Sequence, residues 1–163
     1  MKLLSIEING VLNQAPATDS CSLVEYLRDE LGLKGTRLGC AQEKCGACVV
    51  LIDGQPRHSC QVEIGNLSGR SIHTVESLES TVEGRILLTQ FEVHQAGQCG
   101  FCLSGILVRA LAFVRQREDG SRAALLRALD GHLCRCGVHS RIIAAIEASW
   151  QAVNELKDNS CPA

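Results

Sequence analysis

Four cysteines in one short stretch have the spacing of a metal site. Cys40, Cys45 and Cys48 follow a Cys-x4-Cys-x2-Cys pattern, and eleven residues separate Cys48 from Cys60. This spacing is typical of thiolates that bind a [2Fe–2S] cluster, because three sulfurs on one tight loop can face the same small inorganic core. A short loop also aims backbone N–H groups at the sulfurs, which offsets their negative charge. Zinc is the alternative, but zinc sites usually use paired Cys-x2-Cys hooks, and only Cys45 and Cys48 form one here.

A second set of four cysteines lies in the other half of the chain. Cys99 and Cys102 form Cys-Gly-Phe-Cys, and Cys134 and Cys136 form Cys-Arg-Cys. Taken alone, this set leaves zinc open, although a single intervening residue constrains two tetrahedral ligands tightly. Two complete sets of four cysteines in one chain favour one chemistry used twice, which is one-electron transfer by iron–sulfur clusters.

The length, charge and amino-acid composition of the chain exclude some classes of function. The 163 residues suit one ordinary domain or two small ones, and the formal net charge of −2 with only 3% aromatic residues argues against a nucleic-acid-binding surface. Ten cysteines would suit the disulfide scaffold of a secreted protein. However, Met1-Lys2-Leu3-Leu4 leads straight into strand-like alternation, with no signal peptide and no transmembrane segment. We therefore expect a cytoplasmic chain, associated with a membrane only through a partner.

The first half reads as strands and one helix around the first cysteine loop. Alternation over residues 3–9 ends at Asn9-Gly10, the strongest short hairpin signal, and predicts a second strand over 11–16. Ser22 and Glu25 have the spacing of a capping box that opens a helix through Leu31. Further strands are predicted over 48–52, after Asp53-Gly54 in a strand that carries Cys60, and at Ile72.

The second half reads as helical. A polar connection is followed by apolar residues at helical spacing, which predicts helices over 85–94, 103–117, 121–130 and 139–157. Helices of this length bury a common seam by bundling. The predicted fold class is α+β: an N-terminal β-grasp, ferredoxin-like domain over 1–76, a linker over 77–83, an all-α four-helix-bundle domain over 84–157, and a tail over 158–163.

Two flanked motifs resemble a known family. Gln98-Cys-Gly-Phe-Cys102 and Leu133-Cys-Arg-Cys-Gly137, downstream of the first loop, are similar to the iron–sulfur subunit of the molybdenum hydroxylases, the xanthine oxidase family. The resemblance covers roughly residues 2–155. It implies two [2Fe–2S] clusters, one in a ferredoxin-like domain and one in a four-helix domain. The implied ligands are Cys40, Cys45, Cys48 and Cys60 for the first and Cys99, Cys102, Cys134 and Cys136 for the second.

The resemblance also implies a partner and a role. Molybdopterin would lie on a large partner subunit that hydroxylates the substrate, and Gln98 and Cys136 match residues within hydrogen-bonding reach of that pterin. This chain would then be the electron-transfer subunit of the oxidoreductase. It would relay single electrons to an acceptor such as a flavin subunit or a cytochrome, with no substrate site or catalytic residue of its own.

The substrate expectation rests on the segment Cys134-Arg-Cys-Gly-Val-His-Ser-Arg-Ile. It is more similar to the subgroup that acts on N-heteroaromatics such as nicotinate and isoquinoline than to xanthine dehydrogenase. The alternatives are an aldehyde- or purine-oxidising member of the same family, or a free-standing ferredoxin. A structural zinc protein is the third alternative.

The chain departs from the family pattern at a few positions. Ser104 stands where the family often has proline, and Ala41 and Glu43 stand where glycines are common in the first loop. The extra side chains are expected to change the solvent exposure and charge around the cluster of that loop.

Several other cysteines, histidines and an arginine have simpler interpretations than a role as cluster ligands. Cys21 is interpreted as a small buried thiol and Cys161 as an idle tail residue. His58 and His139 are assigned to surface positions or to contacts behind the ligands, because no cysteine is missing that they would replace. Two further residues beside the second set remain open. His132 could donate a hydrogen bond to a sulfur, and Arg135 could act at a partner interface or be solvated.

Overall fold

The computed structural model describes residues 3–17, 20–116 and 119–159, and it is a mixed α+β protein. Its sheet has five strands: β1 Leu3–Ile8, β2 Val11–Pro16, β3 Val49–Ile52, β4 Gln55–His58 and β5 Ser71–His73. The strand order is β2-β1-β5-β3-β4. β1 and β5 are parallel and the other neighbours are antiparallel. The predicted hairpin is confirmed: Asn9 and Gly10 join β1 to β2 with positive φ angles of 52° and 81°.

The first helix packs against one face of this sheet. Helix α1 spans Leu23–Glu25 and continues as a wider π-helical turn over Tyr26–Glu30. The predicted capping box is present, with the Ser22 N–H donating to Glu25 Oε2 at 2.8 Å. Leu23 and Leu27 are fully buried against Ile6 and Ile72 of the sheet. Alternation in β1 and the cap on α1 thus close the first core.

The position of Cys60 differs from the prediction. We predicted that it lies on a strand, but β4 ends at His58 and Cys60 lies in a 3₁₀ turn over Ser59–Gln61. The Ser59 N–H and hydroxyl both donate to the Cys48 carbonyl, at 3.2 and 2.7 Å. These two bonds bend the chain out of the sheet and bring Cys60 back beside Cys48.

In the described part of the second half there are four α-helices: α2 Val82–Val93, α3 Leu103–Arg115, α4 Arg122–Ala128 and α5 His139–Asn159. All four predicted helices are therefore confirmed, with shifted ends. Helix α2 begins three residues earlier than predicted, because the Thr81 side chain accepts from the Gly84 N–H and caps it. The preceding stretch is less exposed than its polar composition predicted, since Leu78 is buried in a 3₁₀ turn over Val75–Ser80.

Strand β3 joins the two halves. Val49 and Leu51 are buried in the same core as Ile106 and Leu111 of α3, whereas Val50 faces the core under α1. This alternation lets one strand serve both cores. Residues 160–163, including Cys161, lie outside the described part of the chain. No helix within 3–17, 20–116 and 119–159 is long and apolar enough to cross a membrane.

Candidate metal centres

The first loop gathers its sulfurs through backbone N–H groups. Amides of Gln42 and Lys44 both donate to Cys40 Sγ at 3.3 Å, and the Cys40 N–H donates to Cys45 Sγ at 3.4 Å. The Lys44 and Gln42 amides lower the pKa of Cys40 to about 7, because they stabilise its thiolate. The loop is therefore arranged to hold negative sulfur, as a cluster requires.

Cys48 and Cys60 are the other two members of this set. Both are buried, and the Cys60 thiol lies close enough to influence the ionisation of Cys48. Burial raises the pKa of Cys48 to about 12, since the desolvated thiolate has lost its water. The set thus has an outer pair, Cys40 with Cys45, and an inner pair, Cys48 with Cys60.

The backbone of the loop explains why glycine is common there. Ala41 and Glu43 have φ angles of 54° and 57°, and Gly46 has a φ of 74°. Side chains in this left-handed region cost roughly 1–2 kcal/mol each. Ala41 and Glu43 therefore keep the loop conformation that glycine would adopt without strain, and both side chains are exposed.

The second set lies where the loops of the helical half meet. Cys102 immediately precedes α3, and Cys134 and Cys136 lie between α4 and α5. The Cys99 thiol lies next to that of Cys136, and the Cys102 thiol lies next to that of Cys134. This set also has an outer pair, with Cys99 exposed, and an inner pair, with Cys102 buried.

The pKa shifts in the second set follow the outer and inner pairs only at Cys99 and Cys102. The Phe101 amide lowers the pKa of Cys99, and burial raises the pKa of Cys102 to about 12. Burial opposes ionisation of Cys134, but amides led by that of Val138 outweigh it and lower its pKa. The Cys99 amide favours the thiolate of Cys136, but the neighbouring Cys99 thiol and burial outweigh it and raise the pKa of Cys136.

Both sets suit a binuclear cluster. The nine described cysteines are free thiols. Among residues 3–17, 20–116 and 119–159, no three His, Cys, Asp or Glu side chains are grouped so that they could hold a single metal ion. A [2Fe–2S] cluster takes four thiolates, two on each iron, and each set supplies two neighbouring pairs.

The remaining predicted residues fall into two groups. Gln98 is exposed beside Cys99, and Arg135 is exposed between Cys134 and Cys136, so both are open to a partner. The second group, Cys21 and the histidines, makes structural contacts instead. The half-buried Cys21 thiol donates to the Ser22 carbonyl at 3.5 Å, in the core under the sheet.

The histidines have structural contacts. His139 Nε2 is hydrogen-bonded to the His132 carbonyl at 3.3 Å, and His58 is half-buried at the end of β4. His132 itself is only 7% exposed, and neither ring nitrogen has a hydrogen-bond partner in the described part of the chain. Its pKa is lowered to about 4, mainly by burial and then by the nearby Arg109 and His58.

Sequence reasoning missed the contact between the two cysteine sets. The Leu133 N–H donates to the Cys45 carbonyl at 3.1 Å, which links a residue adjacent to Cys134 with a cysteine of the first loop. The buried Ser104 hydroxyl donates to the Ala47 carbonyl at 3.4 Å. No spacing in the sequence marks these residues, because the contacts depend on how the two halves pack.

Comparison with known proteins supports these features. Residues 6–92 match the model of a 2Fe-2S iron-sulfur cluster binding domain, and residues 74–147 match that of a [2Fe-2S] binding domain. One of the subunits of nicotinate dehydrogenase from Pseudomonas putida is 34% identical over 143 residues, which cover 88% of this chain and 91% of that protein. The beta subunit of the 6-hydroxypseudooxynicotine dehydrogenase complex from Paenarthrobacter nicotinovorans is 38% identical, over 87% of this chain and 89% of its own length.

A solved structure is similar to this chain in both fold and sequence. A chain of quinoline 2-oxidoreductase from Pseudomonas putida 86 has a TM-score of 0.86 and 36% identity, and the match covers 94% of this chain and 96% of that chain. Sequence, family models and fold agree over nearly the whole length. The chain belongs to the iron–sulfur subunits of the molybdenum hydroxylase family.

Proposed function

We propose that this chain carries two [2Fe–2S] clusters and passes single electrons from a molybdopterin-binding large subunit to an acceptor. The carrying observation is that eight cysteines form two sets of neighbouring thiols. The proposed ligands are Cys40, Cys45, Cys48 and Cys60 in the first set and Cys99, Cys102, Cys134 and Cys136 in the second. Bound there, each cluster would supply a centre that accepts and returns one electron.

The proposed domains follow this division. The sheet and α1 form a β-grasp, ferredoxin-like domain over residues 1–76, and the four helices form a bundle domain over 84–157. Residues 77–83 link them, and 158–163 form a tail. The proposal is supported by two separate cores, one under the sheet and one among the helices, that meet at β3.

The residues around each set have separate tasks. Backbone amides of Gln42 and Lys44 stabilise the charge on Cys40, and the Phe101 amide does the same for Cys99. Cys48, Cys60 and Cys102, by contrast, are buried and Cys134 is half-buried, so less water would reach that side of each cluster. Such an arrangement favours electron exchange at an outer edge, where Cys99 is exposed.

We assign the surface that would contact the large subunit to the exposed side of the second cysteine set. Gln98 is exposed and has an amide that can both donate and accept, and the half-buried Cys136 lies next to Cys99, the residue that follows Gln98. We therefore place the pterin, held by the large partner, next to Gln98 and Cys136. A flavin subunit or a cytochrome is the proposed acceptor, and the cytoplasm the proposed compartment.

The proposed substrate class is an N-heteroaromatic compound that the large subunit hydroxylates. The similar proteins are named for nicotinate, 6-hydroxypseudooxynicotine and quinoline. All three names denote molecules with an aromatic ring nitrogen, and the chain covers most of the length of each relative. Nicotinate and quinoline are accordingly the first compounds to test.

The test is substrate-driven reduction of the purified complex. Nicotinate or quinoline, added without oxygen, is expected to bleach the iron–sulfur absorbance of the complex. Cys136→Ser should abolish that bleaching and remove one of two paramagnetic signals seen after dithionite reduction. Cys21→Ser is the matched control and should behave like the wild type. A chain that purifies without a molybdopterin-containing partner, or a Cys21→Ser variant that loses a signal, would overturn the proposal.

A further inference from the structure

The loop between Cys45 and Cys48 is held between the two segments that carry the other four cysteines. A Cβ atom built on Gly105 of α3 would lie 1.8 Å from the Gly46 carbonyl oxygen and 3.1 Å from Ala47 Cα. These are backbone atoms, which cannot move aside as a flexible side chain can. The start of α3, just after Cys102, therefore touches the loop through bare backbone.

The same loop also contacts the second segment. A Cβ on Gly46 would lie 2.5 Å from the His132 ring carbon Cδ2, and the His132 ring is buried. The Leu133 N–H donates to the Cys45 carbonyl at 3.1 Å. The loop thus contacts two segments, and both carry cysteines of the second set.

We propose that Gly105 is a positioning residue for electron transfer between the two cysteine sets. Because it has no side chain, α3 can contact the backbone of the first loop, and this contact fixes the separation of the sets. The inference rests on the proposed function, since the separation has a role only if each set holds a cluster.

The size of the expected displacement follows from the contact. An ordinary carbon–oxygen contact is about 3.5 Å, so an alanine at position 105 must move the loop and the helix apart by about 1.5 Å or more. Magnetic coupling between two reduced clusters falls with the inverse cube of their separation. A shift of this size is therefore measurable in the paramagnetic spectrum of the fully reduced protein.

The experiment compares two alanine variants of the complex. Gly105→Ala is expected to weaken the magnetic coupling between the two reduced clusters. Gly84→Ala is the matched control, because its Cβ would lie 2.0 Å from the Leu78 carbonyl oxygen, away from both cysteine sets. It should lower stability as Gly105→Ala does but leave the coupling at the wild-type value. Equal coupling in Gly105→Ala and the wild type would overturn the inference.

A second variant covers the case in which Gly105→Ala does not assemble. In Gly105→Ala/His132→Ala, removal of the ring leaves space beside Gly46 into which the loop can shift, so the protein is expected to fold. Its coupling should differ from that of the single variant His132→Ala. Identical coupling in these two proteins would contradict the role of Gly105. The absence of two cluster signals from the wild type would instead refute the proposed function itself.

Discussion

Replacement of Arg109 by methionine is expected to loosen the second cysteine set and leave the first unchanged. Arg109 is half-buried on α3, and its Nε–H donates to the carbonyl of Ala128 at 2.7 Å. Ala128 is the last residue of α4, where carbonyl groups have no partner within the helix. The bond therefore fixes the end of α4, from which the chain runs on to Cys134 and Cys136.

The magnitude follows from two opposing effects. A hydrogen bond from a charged donor contributes roughly 1.5–3 kcal/mol. Burial of the guanidinium, which lowers the pKa of Arg109, offsets part of this stabilisation. Methionine keeps much of the aliphatic stem, so we expect a net loss of about 1–2 kcal/mol. If opening of this loop limits cluster release, the release becomes about five- to thirtyfold faster.

The assay is the loss of each paramagnetic signal with time at a fixed urea concentration. In Arg109→Met, the signal assigned to the helical half should disappear faster, and the signal of the first set should decay at the wild-type rate. Arg115→Met, on the same helix, is the matched control, because the Arg115 side chain makes no hydrogen bond or ion pair with the described residues. Equal acceleration of both signals, or an equal effect of Arg115→Met, would refute the reasoning.

Two further substitutions test separate parts of the structure. Gly46→Ala combines a φ of 74° with a close approach to the His132 ring, so it should cost more than the roughly 1–2 kcal/mol of a left-handed residue alone and lower the iron content of the purified chain. Gly46→Ala/His132→Ala should recover part of that loss, and no recovery would show that the ring is not the obstacle. Ser22→Ala removes the cap of α1 and should lower the melting temperature by roughly 2–4 °C, for a loss of about 1 kcal/mol. Ser68→Ala, at an exposed position, is its control, and a change in either cluster signal on Ser22→Ala would contradict a purely structural role.

Local signals in the sequence predicted the elements well. The Asn9-Gly10 turn and the Ser22 capping box depend on neighbouring residues alone, and both are present as predicted. Helix α2 was predicted too short because the cap at Thr81 lies in a stretch that reads as a polar linker. Cys60 was misplaced on a strand because the two bonds from Ser59 to Cys48 join residues eleven apart.

The spacing of residues in the sequence could not predict the long-range packing. The cysteine pattern indicated which thiols belong together, but not that each set divides into an outer and an inner pair. The close contact of Gly105 with Gly46 and the burial of His132 between the loops arise only when the two halves meet. Such contacts leave no periodic signal, since each involves one residue from a distant segment.

The central claim is most directly tested by iron and acid-labile sulfide analysis of the purified chain, combined with its spectrum after dithionite reduction. We predict about four irons and four sulfides per chain and two distinct paramagnetic signals, one for each cysteine set. Zinc in place of iron, one metal ion per set without sulfide, or a single signal would contradict the account.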